Sequence, residues 1–229
     1  MDWRLIVDAQ GRTGIENMAA DVALLDEVLK SGSAFLRLYR WDPPTLSLGR
    51  NQSSDRLDLR GLAVVRRPTG GQAVWHDQEL TYAVAAPISS FGSLRTAYCE
   101  IHTRLATALR SLGVDAVLAG RSTHVPSCRL ASCFAAPVGG EILVSGRKLV
   151  GSAQVRRDRA FLQHGSILLA GSQAKVSEDS HETTLSSLLG RSVSFEEVST
   201  AIIEAWTERL VPSYPPTVLP SEVASLAAP

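Results

Sequence analysis

Three capped, amphipathic segments set far apart constrain this chain more than any other feature. Thr13-x-x-Glu16 has the form of a capping box, followed by Met18, Val22, Leu25 and Leu29 at helical spacing and Gly32 as a stop. Ser93 opens a second helix carrying Tyr98, Ile101, Leu105, Leu109 and Leu112, closed by Gly113. Ser194-x-x-Glu197 opens a third, with Val198, Ile202, Ala205 and Leu210 on one face, before Pro212 stops it. Between them lie β-type runs: 35–39 alternates, 62–65 is a short apolar run, and 81–85 follows a turn-rich stretch. Residues 141–155 read as a hairpin about Ser145-Gly146, and 165–169 as a further strand. Single helices that interrupt clusters of strands predict an α+β fold rather than a doubly wound parallel sheet.

A chain of 229 residues supports one large domain, and the sequence divides into a catalytic-sized unit over 1–211 and a Pro/Ala-rich tail over 212–229. With 45% hydrophobic and 20% charged residues, disorder, collagen-like repeats and coiled coils are excluded. The 23 basic residues balance 23 acidic ones, which removes the usual electrostatic case for a nucleic-acid binder. Cys99, Cys128 and Cys133 are an odd set without zinc spacing, so neither a disulfide framework nor a metal site is expected. No run approaches the roughly 18 apolar residues of a membrane span, and a reducing, cytoplasmic setting follows as the expectation.

The densest feature is Arg66-Arg67-Pro68-Thr69-Gly70-Gly71-Gln72-Ala73-Val74-Trp75-His76-Asp77. Its glycines permit close backbone approach, and successive N–H groups can cradle an anion or a carbonyl oxygen. An exposed turn is the competing reading. On a regular strand Lys148, Val150 and Ser152 share a face. Spacing alone favours an edge lysine facing water over one turned inward. Cys133 is a small hydrophobe unless a cation stabilises its thiolate, and Lys148, fifteen residues on, is the candidate cation. Cys99, mid-helix, reads as structural. His76 and His164 flank small-residue turns, where a hydrogen-bonded core role is favoured over a site role, whereas His102, His124 and His181 read as surface positions.

Taken together, these residues resemble the biotin/lipoate protein ligase superfamily over roughly residues 3–170. The resemblance rests on Asn17-Met18-Ala19-Ala20-Asp21, Arg37-Leu38-Tyr39-Arg40-Trp41, Pro44–Gly49, Arg66–Gly71 and Val74–Tyr82. It continues through Gly146–Gln154 and Gln163-His164-Gly165-Ser166-Ile167-Leu168. The Arg-Arg-Pro-Thr-Gly-Gly wording and the segment about Ser132-Cys133-Phe134 are most similar to the lipoate-ligase-like octanoyltransferases.

That resemblance implies the catalytic-domain fold of the superfamily, a mixed, largely antiparallel sheet flanked by helices. It implies transfer of an octanoyl group from acyl carrier protein to the lipoyl-domain lysine of an acceptor such as glycine cleavage protein H. Cys133 then matches the acyl-accepting cysteine and Lys148 the site lysine, while Arg67, Thr69, Gly70, Gly71, Ala73, His76, Gly151, Ser152, Ala153 and His164 bind substrate. No cofactor is required, and a monomer is expected. The rivals are an ATP- and Mg-dependent lipoate–protein ligase, against which the length of the chain argues, and a lipoyl-domain amidotransferase. A binding module that has lost catalysis would have lost the cysteine and lysine as well. Five Lys/Arg against two Asp/Glu over 141–160 predict steering of acidic partners through Arg156 and Arg157.

Overall fold

A computed structural model describes residues 3–55, 57, 59–120, 141–176, 181–208 and 210–214. In chain order its elements are β1 (Trp3–Arg12), α1 (Gly14–Ser31), β2 (Ala34–Trp41), β3 (Thr45–Leu48), β4 (Ala63–Arg66), β5 (Val74–His76) and β6 (Glu79–Pro87). Then follow α2 (Leu94–Ser111), β7 (Val117–Leu118), β8 (Ile142–Val144), β9 (Arg147–Arg157), β10 (Ala160–Leu168), α3 (Leu185–Leu189), α4 (Phe195–Ala205) and β11 (Leu210–Pro212).

The helices begin where local chemistry dictates. Thr13 Oγ1 accepts from the Glu16 N–H while Glu16 Oε2 accepts from the Thr13 N–H at 3.0 Å, so two otherwise orphaned donors are satisfied together. Gly32 closes α1 at φ +71°, returning its N–H to the Val28 carbonyl. Ser93 caps α2 and Ser194 caps α4, but Glu197 does not fold back to complete a box: its carboxylate takes a two-pronged ion pair from Arg191. Helix α4 ends at Ala205, so Leu210 is not on its face as the spacing predicted. It sits on β11, paired in parallel with β1, and Pro212 ends a strand instead of a helix. Pro is tolerated there because β11 is an edge strand.

Eight strands form one sheet in the order β11-β1-β2-β6-β10-β9-β8-β7, and β4-β3-β5 form a second. The β1 pairings with β2 and β11, and β3 with β4, are parallel; the remaining pairings are antiparallel. The large sheet is buried on both faces. Leu36, Leu38, Tyr82, Val84 and Ala86 join the core beneath α2 and α4, whereas Phe35, Tyr39, Ala83, Ala85 and Leu162 pack beneath α1. This is the period-2 alternation of strands used twice over. The hairpin turn is at Ser145 (φ +50°) and Gly146 (φ +75°), a pair of left-handed residues whose twist matches the flanking strands.

Candidate functional site

The large sheet, the small sheet and the first turns of α1 enclose a cavity of about 310 Å³, counted with its open mouth. Met18 reaches it from α1, Tyr39 and Trp41 from β2, Arg67 from the loop after β4, and Val74 and His76 from β5. The opposite wall is Gly151–Ala153 of β9 and His164–Ser166 of β10, with Thr81 of β6. Gly165 cannot be replaced freely. A Cβ there would collide with Ser152 Oγ and come within 2.9 Å of the Tyr82 ring. Across the small sheet, a Cβ on Gly49 would strike the Gly71 carbonyl, so the Thr69-Gly70-Gly71 loop folds directly over position 49.

Two carboxylate–imidazole–hydroxyl arrays meet the cavity through their imidazoles, His76 and His164. In the first, His76 Nδ1 meets Glu79 Oε1 at 2.7 Å and Nε2 meets Ser47 Oγ at 2.5 Å. Arg67 Nη1 donates to the same Ser47 Oγ at 2.7 Å, so the serine hydrogen serves Nε2 and the ring proton lies on Nδ1, directed at the carboxylate. Burial pushes the His76 pKa below the ordinary imidazole value, against the pull of Glu79. Trp41 stacks on the ring at 3.9 Å and 11°, and its indole N–H donates to Thr81 Oγ1, which donates on to Glu79. In the second array, His164 Nδ1 donates to Asp21 Oδ2 at 2.8 Å and Nε2 meets Thr69 Oγ1 at 2.7 Å.

Behind His164 lies a charged network that sequence reasoning did not assign to the site. Arg37, with no exposed surface, donates to Asp21 Oδ1 (2.9 Å), to Asn17 Oδ1 (2.7 Å) and twice to Asp8 Oδ2. Tyr39 adds a hydrogen bond to Asp21 Oδ2, and burial together with Asp21 raises its phenol pKa well above the usual value. Asn17 and Asp21 stand four residues apart on α1, both buried. That spacing was legible as two polar positions on the apolar face of a helix.

Lys148 is buried and bonded, not facing water as its spacing favoured: Nζ donates to Glu141 Oε1 at 2.6 Å, with both side chains 2% exposed. The reason is a bulge. Ile142 pairs with Val150 but Leu143 pairs with Lys148, so one extra residue in β9 breaks the alternation. Ile142 and Val150 enter the core beneath α2, and the bulge turns Lys148 to the other face, that of Leu143; Lys148 is not among the residues that line the cavity. Lys148 therefore does not share a face with Val150 and Ser152. Ser152 Oγ instead reaches the Tyr82 hydroxyl (2.7 Å) and His102 Nε2 (2.9 Å) on the α2 side. His102, expected at the surface, is fully buried because it lies beside Ile101 within the apolar arc of α2. Cys99, expected to be structural, is exposed on the outer face of that helix. His181 is exposed, as expected.

Of the residues expected to bind substrate, Arg67, His76, Gly151, Ser152, Ala153 and His164 wall the cavity. Thr69 stands behind His164, while Gly70 and Gly71 lie outside the wall and brace Arg67: the Gly70 carbonyl accepts from its Nη2, and a Cβ on Gly71 would sit 3.4 Å from that nitrogen. Ala73 is not at the cavity; it packs in the small sheet's own core with Leu46, Leu48 and Trp75. Cys133, with Cys128 and His124, lies outside the described residues. Of the two arginines expected to steer partners, Arg157 is engaged with Asp26 and Arg156 donates to the Asp158 carbonyl.

A family model described as the lipoyl protein ligase A/B catalytic domain matches residues 13–207. The chain is 37% identical to an octanoyltransferase LipM of Kyrpidia tusciae, over 96% of this chain and 91% of that protein. It is 43% identical to an octanoyltransferase LipM of Carboxydothermus hydrogenoformans, over 73% of this chain and 65% of that protein. Among solved structures, a lipoate-protein ligase A bound with ATP superimposes with a TM-score of 0.77 at 23% identity, covering 99% of this chain and 93% of that one. The α+β catalytic-domain fold expected from the sequence is thus the fold observed.

Proposed function

The chain belongs to the lipoyl protein ligase A/B catalytic-domain family, and from that premise we propose that it is an octanoyltransferase. It moves an octanoyl group from acyl carrier protein to the lysine of a lipoyl-domain acceptor such as glycine cleavage protein H, through a thioester on Cys133. One observation carries the reading of the cavity. The guanidinium, imidazole and hydroxyl groups in its wall are engaged by protein neighbours: Arg67 by Ser47 and Gln72, His76 by Glu79 and Ser47, His164 by Asp21 and Thr69. Ser166 and Thr81 both donate to Glu79. What the cavity offers a ligand is then the apolar surface of Met18, Tyr39, Val74, Gly151 and Ala153. A saturated acyl chain loses nothing on entering such a slot, whereas a ligand rich in polar groups leaves its own hydrogen bonds unmade.

Lys148 supplies the positive charge near the reacting end. Charge–charge attraction favours a thiolate at Cys133, the reactive form of a cysteine. Cys133 precedes Glu141 by eight residues, a tether that spans at most about 28 Å when extended. The thiolate attacks the octanoyl thioester, the carrier thiol leaves, and the acceptor lysine then takes the acyl group as an amide. The reading needs no cofactor, a monomer suffices for it, and carrier and acceptor place it in the cytoplasm.

The test is a pair of incubations with apo acceptor domain, one with octanoyl-carrier protein and one with lipoate and Mg-ATP, read by the acceptor's mass. Octanoylation in the first tube is expected. Modification confined to the second overturns the reading in favour of the ATP-dependent ligase.

A further inference from the structure

The two walls of the cavity are not held with equal strength. Gly151–Ala153 and His164–Ser166 belong to β9 and β10, interior strands of the eight-stranded sheet with a neighbour on either side. Val74 and His76 come from β5, a strand of three residues paired with β3. Among the described residues no strand takes the other edge of β5. The Trp75 N–H and C=O point toward that edge, within the protein, and need partners from elsewhere.

Gln173 supplies both. Its Oε1 accepts from the Trp75 N–H at 2.9 Å and its Nε2 donates to the Trp75 carbonyl at 2.7 Å, so one buried carboxamide stands in for a strand residue. Gln173 is itself tethered to the opposite wall. Its own N–H donates to Glu182 Oε1 at 2.9 Å. The residues flanking Glu182 bracket Lys148 of β9: the Lys148 N–H donates to the His181 carbonyl (3.2 Å), and the Thr183 N–H donates to the Lys148 carbonyl (2.9 Å). The tie therefore runs from β5 through Gln173 and Glu182 to β9, from one side of the cavity to the other.

We propose that Gln173 is a positioning residue that sets the width of the acyl slot, and with it the cross-section of the acyl group the chain accepts. The inference rests on the octanoyl-transfer reading. With its outer edge bonded, β5 keeps Val74 in contact with Leu168 of β10 and holds Val74 and His76 in the cavity wall. Gly151 and Gly165 line the same cavity and add no side chain to it, which leaves a slot suited to a straight saturated chain. A tail that ends in a ring needs β5 to yield. Breaking the Trp75–Gln173 pair leaves β5 with its bonds to β3 alone. Two buried backbone groups without partners then favour an outward shift of the strand, because the shift brings them to water.

A comparison of two acyl groups tests this. Transfer to the acceptor domain is measured from octanoyl-carrier protein and from phenylhexanoyl-carrier protein, whose tail ends in a ring. Gln173→Leu is expected to lower the ratio of kcat/KM for octanoyl over phenylhexanoyl at least about tenfold, the scale of discrimination by an apolar pocket. Lys175→Ala, which removes the ammonium lying 4.3 Å from the centre of the Trp75 ring but leaves the Gln173 pair, should keep the wild-type ratio. A folded Gln173→Leu variant that loses the same factor on both acyl groups, or on neither, would overturn the proposal, since a merely structural role does not distinguish them. Amide exchange in the unaltered chain gives a second test that needs no variant. The Trp75 N–H should exchange as slowly as those of Val74 and His76, which face β3 by alternation; free exchange at Trp75 would also overturn it. A wild-type chain that transfers neither acyl group would instead refute the octanoyl-transfer reading itself, while Trp75 exchange still reports on the tie.

Discussion

Replacing Asp21 with Asn probes how far the cavity depends on the charged network behind it. Asp21 and Arg37 are both fully buried, and their 2.9 Å contact is supplemented by donors from Tyr39 and His164 on the second carboxylate oxygen. Asn keeps the shape but removes the charge and turns an N–H₂ toward groups that are themselves donors. Breaking one partner of a buried ion pair costs about 3–5 kcal/mol, because the remaining charge stays buried without compensation. For a chain of this size each kcal/mol lowers Tm by about 2–4 °C, so the variant should melt about 6–20 °C below wild type. Thermal melting by circular dichroism, checked by urea denaturation, measures it. Arg12→Ala is the control: its ion pair with Asp8 is 36% exposed on the arginine side and should be worth less than about 1 kcal/mol. A Tm loss below about 2 °C for Asp21→Asn, or one no larger than that of Arg12→Ala, would refute the argument that this network holds α1 to β2 and β10.

Gly165→Ala should destabilise the chain by about 1–3 kcal/mol and impair acyl binding, since the added methyl meets Ser152, the Gly151 carbonyl and Tyr82 at once; a denaturant midpoint equal to wild type would contradict the packing. His76 gives a pH prediction. Its folded pKa lies below the ordinary 6.5, so the unfolded chain binds the proton that the folded chain refuses, and the stability it contributes above 6.5 is lost as pH falls below that value. Unfolding free energies between pH 7.5 and 5.5 should fall more steeply for wild type than for His76→Gln; parallel slopes would rule out this role.

What the sequence disclosed was local. Thr13, Ser93 and Ser194 announce their helices because a cap is satisfied within a few residues. Strand β1 was hidden because Trp3 and Ile6 alone are fully buried along it, so its pattern lacks a period of two. The short strands β3 and β5 are buried at every position, which erases alternation altogether. Lys148 misled because a bulge between strands is a property of pairing, invisible along one of them. Arg37 finds Asp21 sixteen residues away in sequence, and Lys148 finds Glu141 across a turn; such contacts follow only once the sheet order is known. His102 was the avoidable miss, since positions 98, 101, 102, 105 and 109 form one arc of α2.

Whether an octanoyl group passes through the chain itself is the central claim, and intact-mass spectrometry of the chain after mixing with octanoyl-carrier protein tests it most directly. The account predicts a gain of one octanoyl group, mapped to Cys133 and absent from Cys133→Ser. An adduct that persists in Cys133→Ser, or octanoylation of acceptor at an undiminished rate by that variant, would contradict it.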